Sequence, residues 1–160
     1  MRPNVTLVNP PYPTIFYQYS PYPRQFRQHP PFPSLGLGYL AAILEKNHYQ
    51  VEIIDCQALK LSYEQFKNEI SKRQPNIVGI TSTTLTYKSA LKIAKIAKET
   101  HPNCLTVLGG PHATFWDKNA LQECPQLDII ARKEGENTLL ELAQRLERLL
   151  SQLMDWMNEE

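Results

Sequence analysis

The sequence predicts an α/β domain in which helices cover both faces of a parallel, five-stranded sheet. Five short runs rich in β-branched residues alternate with longer segments in which apolar residues recur three and four positions apart. This alternation is typical of βα units, in which each helix returns the chain to the start of the next parallel strand. The strand runs are apolar at nearly every position, as expected when a helix layer lies on each side. A chain of 160 residues fits one such three-layer domain.

The predicted elements follow one another in regular order. The strands are 5–9, 51–55, 76–81, 104–109 and 127–131, and the helices are 37–47, 62–73, 86–100, a weaker 115–123, and 136–150. Ser62 stands where the N-cap of the second helix should be, and Gln65 follows at the spacing of a capping box. Pro75 and Pro102 come just after the second and third helices, which a residue without an N–H group cannot extend.

One long connection, residues 12–33, interrupts the alternation between the first strand and the first helix. It concentrates prolines together with seven aromatic side chains. A loop of this length in a compact domain is usually functional or disordered. Proline favours disorder, whereas the aromatic side chains favour a segment that lies over a flat apolar ligand or another domain and becomes ordered on binding.

Charge and cysteine content narrow the classes of function. The 17 basic and 16 acidic residues nearly balance, which argues against binding to nucleic acid or to an anionic membrane. No run approaches the ~18 apolar residues of a membrane span. Cys56, Cys104 and Cys124 are odd in number and widely spaced, which favours reduced thiols over disulfides or a zinc site. We therefore expect a cytoplasmic protein.

Candidate ligand-binding residues lie in four loops that directly follow strands. In an open parallel sheet, ligands bind beyond the carboxyl ends of the strands. Hydroxyl groups there donate hydrogen bonds, glycines allow a ligand to approach the backbone, and carboxylates add charge. Helix capping, tight turns and complementarity to a helix dipole are alternative roles for the same residues. The candidates are Pro10, Pro11, Ser82, Thr83, Thr84, Gly109, Gly110, Pro111, His112, Thr114, Glu134, Gly135 and Glu136.

Gly36, Gly38 and Ala41 match the GxGxxA pattern of dinucleotide-binding proteins, and Asp55 ends the second strand near the position of a ribose-binding acid. In such proteins the first glycine follows strand one directly. Here strand one ends near Asn9, and the long loop intervenes. We therefore interpret Gly36 and Gly38 as sites of close packing between the first helix and the strands.

Six segments taken together carry a family resemblance: NPP, PSLGLGYLAAILE, VEIID, PNIVGITSTTLT, VLGGPHAT and KEGENTLLEL. Their order resembles the N-terminal cobalamin-binding domain of B12-dependent radical S-adenosylmethionine enzymes, a group with anaerobic magnesium-protoporphyrin ester cyclases and many methylases. The resemblance covers residue 5 to about residue 150. It implies a flavodoxin-like (Rossmann-like) sheet in the order 2-1-3-4-5, with cobalamin at its carboxyl edge. It also implies that the nucleotide tail runs between the loops after strands three and four.

By that resemblance, Ser82, Thr83 and Thr84 face the tail, and Gly109 and Gly110 let it lie against the backbone. The implied role is that of a cofactor domain, not catalytic alone, whose partner is a radical S-adenosylmethionine catalytic domain or subunit. The reaction implied for that system is methyl transfer or oxidative cyclisation. The alternatives are an interaction domain without the cofactor and a nucleotide- or flavin-binding protein.

The sequence departs from the family pattern at two points. No CxxxCxxC motif is present, so we expect no iron–sulfur cluster in this chain. Lys133 precedes Glu134, Gly135 and Glu136, where the family usually reads GEGE. The DxHxxG motif, by which other B12 proteins donate a histidine to cobalt, is not present either, and we expect that His112 does not ligate cobalt.

We predict a domain over residues 1–150 and a helical extension over 151–160. The apolar stripe of the last helix continues through the extension, past the point where a sheet remains to be covered. We expect it to support self-association or docking against another domain.

Overall fold

The computed structural model describes residues 2–13 and 33–158. Its strands are β1 (Val5–Asn9), β2 (Val51–Asp55), β3 (Ile77–Thr81), β4 (Leu105–Gly109) and β5 (Ile129–Ile130). They form one sheet in the order β2-β1-β3-β4-β5, and every neighbouring pair is parallel. The predicted fold class and strand order are confirmed.

The helices form a layer on each face of this sheet. They are α1 (Leu35–Lys46), α2 (Tyr63–Arg73), α3 (Tyr87–Thr100), α4 (Pro111–Phe115), α5 (Asp117–Glu123) and α6 (Glu136–Asn158). Side chains of α1 and α6 share one core with Leu7 and Val107, and those of α2, α3 and α5 share the other core with Val8 and Leu108. The inward faces alternate along each strand because successive side chains point to opposite sides of a sheet.

Several element boundaries agree with the sequence, and others differ for physical reasons. Ser62 and Gln65 form the predicted capping box. The predicted helix 115–123 is two short helices that meet at Trp116. Helix α6 runs without a break to Asn158, so the predicted helix 136–150 and the described part of the predicted helical extension are one element. Strand β2 is not apolar on both faces, because it lies at the edge of the sheet and leaves Ile53 exposed.

The predicted packing role of Gly36 and Gly38 is wrong. A Cβ atom added at either position would meet no atom within 4 Å among the described residues, and both glycines are exposed. Helix α1 packs instead through Leu37, Ala41 and Leu44, which are buried.

The prediction for residues 12–33 falls mainly on positions 14–32, which lie outside the described residues. Within 2–13 and 33–158, no helix combines the length and apolar character needed to cross a membrane. Cys56, Cys104 and Cys124 are buried and free of disulfides. Burial, with a smaller contribution from Asp55, raises the pKa of the Cys56 thiol to about 12, which suppresses thiolate chemistry there.

Asp128, just before β5, is linked to α3 by an ion pair and to the start of β4 by hydrogen bonds. Lys98 Nζ lies 2.8 Å from Asp128 Oδ2, which also accepts hydrogen bonds from the Thr106 amide (2.7 Å) and hydroxyl (2.9 Å). Burial by itself raises the pKa of Asp128, but Lys98 and Thr106 outweigh burial and hold the pKa below its ordinary value. The charged form of Asp128 therefore stabilises the fold.

We expect this carboxylate to contribute to acid sensitivity. Because its folded pKa is depressed, its stabilisation is fully present above the unfolded value of about 3.9 and is lost as pH falls through the folded value. Asp128→Asn should lower the free energy of unfolding by about 1–2 kcal/mol at pH 7 and by less at pH 3. Urea unfolding at the two pH values measures the change in free energy. An equal loss of stability at both pH values would contradict the stabilising role of the charged Asp128 carboxylate.

Candidate functional site

A cleft of about 480 Å³ opens at the carboxyl edge of the sheet, between the sheet and the layer of α1 and α6. Its walls come from the start of α1, the ends of β3 and β4, and the loops after β4 and β5. The lining residues are Ser34, Gly36, Leu37, Leu40, Gly79, Ile80, Thr81, Val107, Gly109, Gly110, Pro111, Thr114, Phe115, Ala131, Lys133, Glu134, Gly135, Glu136 and Leu139. The interior is apolar, and charged side chains lie at the loop after β5.

Small residues keep the interior of the cleft open. Gly79 lies within β3, where a Cβ atom would come 2.8 Å from Leu7 Cδ2, so even alanine requires movement in the core. At Gly109, a Cβ atom would lie 3.7 Å from Ala131 Cβ, an ordinary contact. At Gly135 it would lie 3.6 Å from Leu40 Cδ2. Larger side chains at Gly109 or Gly135 would therefore occupy ligand space without a clash of the first carbon.

The loops after β3 and β4 are hydrogen-bonded to each other. The Ser82 amide (2.9 Å) and hydroxyl (3.0 Å) both donate to the Gly109 carbonyl, and the His112 amide donates to the Ser82 carbonyl (3.2 Å). Gly110 has φ +92°, and a Cβ atom there would lie 2.6 Å from the Ser82 carbonyl oxygen. Gly110 is thus required by the loop contact itself. These bonds close the space between the two loops, and the cleft lies beside them.

The predicted hydroxyl residues have structural partners outside the cleft. Ser82 is fully buried. The Thr83 amide donates to Thr86 Oγ1 (3.0 Å), which organises the turn before α3. Thr84 Oγ1 lies 3.2 Å from His112 Nδ1. The N-cap of α3 is Thr86, whose side chain does not cap the helix.

His112 packs on the α3 side of its loop. Its ring centroid lies 4.3 Å from that of Tyr87, whose hydroxyl donates to Glu123 Oε2 (3.2 Å). Burial, reinforced by Glu123, raises the pKa of Tyr87 to about 12 and keeps this hydroxyl protonated. The imidazole therefore has a structural role in joining the loops after β3 and β4 to α3.

Thr114 and Lys133 connect the loops after β4 and β5 at the cleft. Thr114 Oγ1 donates to the Gly110 carbonyl (3.2 Å) and accepts from the Lys133 amide (2.9 Å). Lys133 has φ +59°, a left-handed conformation that glycine adopts without strain. Lys133 holds this turn at a conformational cost and adds a positive charge beside Glu134 and Glu136.

A polar network fixes the turn after β1. Asp55 Oδ1 accepts from Asn9 Nδ2 and from the Gln57 and Ala58 amides, each at 3.0 Å. Gln57 Nε2 donates to the Pro10 carbonyl (2.9 Å) and to Asn9 Oδ1 (3.2 Å). The network joins the ends of β1 and β2 and holds the first predicted site loop in place.

The structure gathers about half of the predicted site residues around one cleft. Gly109, Gly110, Pro111, Thr114, Glu134, Gly135 and Glu136 line it, whereas Pro10, Pro11, Ser82, Thr83, Thr84 and His112 do not. Sequence reasoning missed the apolar lining from α1 and the strand interiors. Gly79 carried a signal, since a glycine inside a β-branched run marks a close approach of another group.

Comparison with known proteins agrees with this architecture. The B12 binding domain family model matches residues 29–143, and the chain belongs to this family. It is 43% identical over 114 residues to an uncharacterized methyltransferase of Pyrococcus horikoshii, covering 71% of this chain and 25% of that protein. It is 39% identical over 107 residues to the anaerobic magnesium-protoporphyrin IX monomethyl ester cyclase of Rubrivivax gelatinosus, covering 66% of this chain and 19% of the cyclase.

The fold is also found in a solved structure. The cobalamin-dependent S-adenosylmethionine radical enzyme OxsB, with aqua-cobalamin and S-adenosylmethionine bound, superposes with a TM-score of 0.71 at 24% identity. That match covers 92% of this chain and 19% of OxsB. The chain thus spans a quarter or less of each of these three proteins.

No group of three or more His, Cys, Asp or Glu side chains is arranged to hold a metal ion within residues 2–13 and 33–158.

Proposed function

We propose that the chain binds cobalamin at the carboxyl edge of the sheet, with the nucleotide tail of the cofactor in the cleft. The observation that carries this proposal is the apolar interior made by Gly79, Val107 and Ala131, which suits the flat aromatic base at the end of the tail. The backbone at Gly109 and Gly135 offers close approach without side chains. The corrinoid ring would then rest over the loops after the strands.

The cofactor's reaction is proposed to be completed by another polypeptide or domain. Bound cobalamin supplies a cobalt centre that accepts and passes on a methyl group or assists an oxidative cyclisation. Relatives named as a methyltransferase and as a cyclase support a role in such a system. We propose that a radical S-adenosylmethionine catalytic domain or subunit is the partner. The three buried, free cysteines suit a reducing cytoplasm.

A paired titration tests the tail-binding cleft. Hydroxocobalamin and cobinamide, a corrinoid without the nucleotide tail, are added separately to the protein and followed by absorption and equilibrium dialysis. We expect cobalamin to bind at least about tenfold more tightly, a difference of about 1.4 kcal/mol. Equal affinities would contradict the role of the cleft. No binding of either corrinoid, or binding of flavin or nucleotide instead, would contradict the proposed function.

His112→Ala tests the role of the histidine. We expect bound cobalamin to keep its absorption bands, because the imidazole packs toward α3 and does not line the cleft. The free energy of unfolding should fall by about 1 kcal/mol through loss of the contacts to Thr84 and Tyr87. A shift of the cobalt bands from a nitrogen-ligated to a water-ligated species would show that His112 is a ligand.

A further inference from the structure

The second half of α6 projects beyond the domain. Glu147 ties the helix to the body, since Tyr49 Oη donates to its Oε2 (2.7 Å) and Arg2 Nε lies 3.3 Å from its Oε1. Before this point, Leu139 and Ala143 are buried in the core shared with α1. The helix continues from residue 148 to Asn158, a further length of about 16 Å.

This projecting segment carries an apolar surface, here called the terminal patch. It consists of Leu149, Leu153, Met154, Trp156 and Met157, whose exposed fractions lie between 47% and 65%. Each of these side chains is large, and all lie within an arc of one helix face, with polar residues opposite. Five such neighbours exposed together are unusual for a surface that stays in water.

The spacing of the patch is that of a helix-pairing seam. Leucines at 139, 142, 146, 149 and 153, followed by Trp156, alternate steps of three and four. Such 3-4 alternation keeps one stripe facing a partner helix along its whole length. The first positions of the stripe meet the domain core, and the last three are left for a partner.

Charge flanking the patch is polarised along the helix axis. Arg145 and Arg148 precede the patch, and Glu147 between them is bound to Tyr49 and Arg2 of the same chain, whereas Asp155 lies in the second half of the patch and Glu159 and Glu160 follow in the sequence. Arg145 pairs with Glu141 on the same helix, but both side chains are more than half exposed, so this ion pair contributes little and can exchange partners. An antiparallel neighbour of the same sequence would place its acidic end beside this basic end.

We infer that the terminal patch is a self-association surface, on which two copies of the chain pair through antiparallel α6 helices about a two-fold axis. Because of the two-fold axis, the basic residues before each patch lie beside the acidic residues of the other copy, so the same contact occurs twice. A parallel pair would set arginine beside arginine and acid beside acid. The patch and its charges thus complement a second copy of themselves.

A single substitution tests the surface. Sedimentation equilibrium of the 160-residue chain, without corrinoid, should show concentration-dependent dimers. Leu153→Arg should weaken dimerisation at least about tenfold, because a charge would be buried in the seam while arginine still favours the helix. Leu59→Arg is the matched control, since Leu59 is similarly exposed but lies after β2, and it should leave dimerisation unchanged. A monomer at concentrations up to ~1 mM, or equal effects of the two variants, would overturn the inference.

Charge reversal tests the orientation. In the first variant, Arg145→Glu and Arg148→Glu make the charges on both sides of the patch acidic. In the second variant, Asp155→Arg, Glu159→Arg and Glu160→Arg make these charges mainly basic. For an antiparallel pair, each variant alone should dimerise more weakly than the natural chain, and a mixture of the two should recover the dimer. Single variants that dimerise as the natural chain does would overturn the antiparallel arrangement. Because neither experiment involves cobalamin, their failure would leave the proposed function untouched.

Discussion

Gly109→Val is expected to weaken hydroxocobalamin binding at least about tenfold while the domain stays folded. The Cβ atom of the new side chain would meet Ala131 Cβ at 3.7 Å, an ordinary contact, and Gly109 does not need a left-handed conformation. The branched methyl groups would then occupy the space proposed for the nucleotide tail. Tenfold corresponds to about 1.4 kcal/mol. Equilibrium dialysis gives the affinity, and far-ultraviolet circular dichroism checks the fold.

The matched control is Gly38→Val, a change of the same size in α1 at a position outside the cleft and free of described neighbours within 4 Å. It should leave affinity unchanged. If Gly109→Val also binds cobalamin normally, the tail lies elsewhere. Gly110→Val is a poor probe, since a Cβ atom at 2.6 Å from the Ser82 carbonyl oxygen would disrupt the loops themselves.

Asp55→Ala is expected to lower the free energy of unfolding by about 2 kcal/mol. The substitution removes the acceptor for Asn9 Nδ2 and for the Gln57 and Ala58 amides. Asn9 is buried, so its amide would lose a hydrogen bond where little water can replace it. The turn that contains Pro10 would also loosen at the edge where cobalamin is proposed to bind. Urea denaturation measures the loss.

Glu52→Ala is the comparison for Asp55→Ala. Glu52 lies on the same strand and pairs with Arg73 Nε at 2.6 Å, but its side chain is 46% exposed. Exposed ion pairs contribute less than about 1 kcal/mol. If the two alanine variants lose equal stability, the network around Asp55 does not hold the turn as described.

The sheet could be predicted because its signals are local. β-Branched runs of five residues alternating with helical periodicity specify parallel strands, and the serine and glutamine of one capping box lie three residues apart. The strand order came from the family resemblance and not from periodicity. Ile53 is exposed because β2 lies at the edge of the sheet, and this position depends on the strand order.

The site was only partly predictable because its geometry depends on distant residues. Whether the Ser82 hydroxyl faces a ligand is decided by the Gly109 carbonyl, 27 positions away, to which it donates. Gly110 was recognised as important, but the reason is the neighbouring loop after β3. Gly36 lines the cleft because the start of α1 lies beside it, and no motif in the sequence indicates where α1 lies.

Backbone amide chemical-shift mapping tests whether the nucleotide tail of cobalamin enters the cleft. Hydroxocobalamin and cobinamide are added in turn to the ¹⁵N-labelled protein. Cobalamin is predicted to shift the amide signals of Gly79, Gly109 and Gly135, which line the cleft, whereas cobinamide should leave Gly79 unshifted because it has no tail to enter. Cobalamin binding that leaves the amide signals of Gly79 and Gly135 unchanged would show that the tail lies outside the cleft.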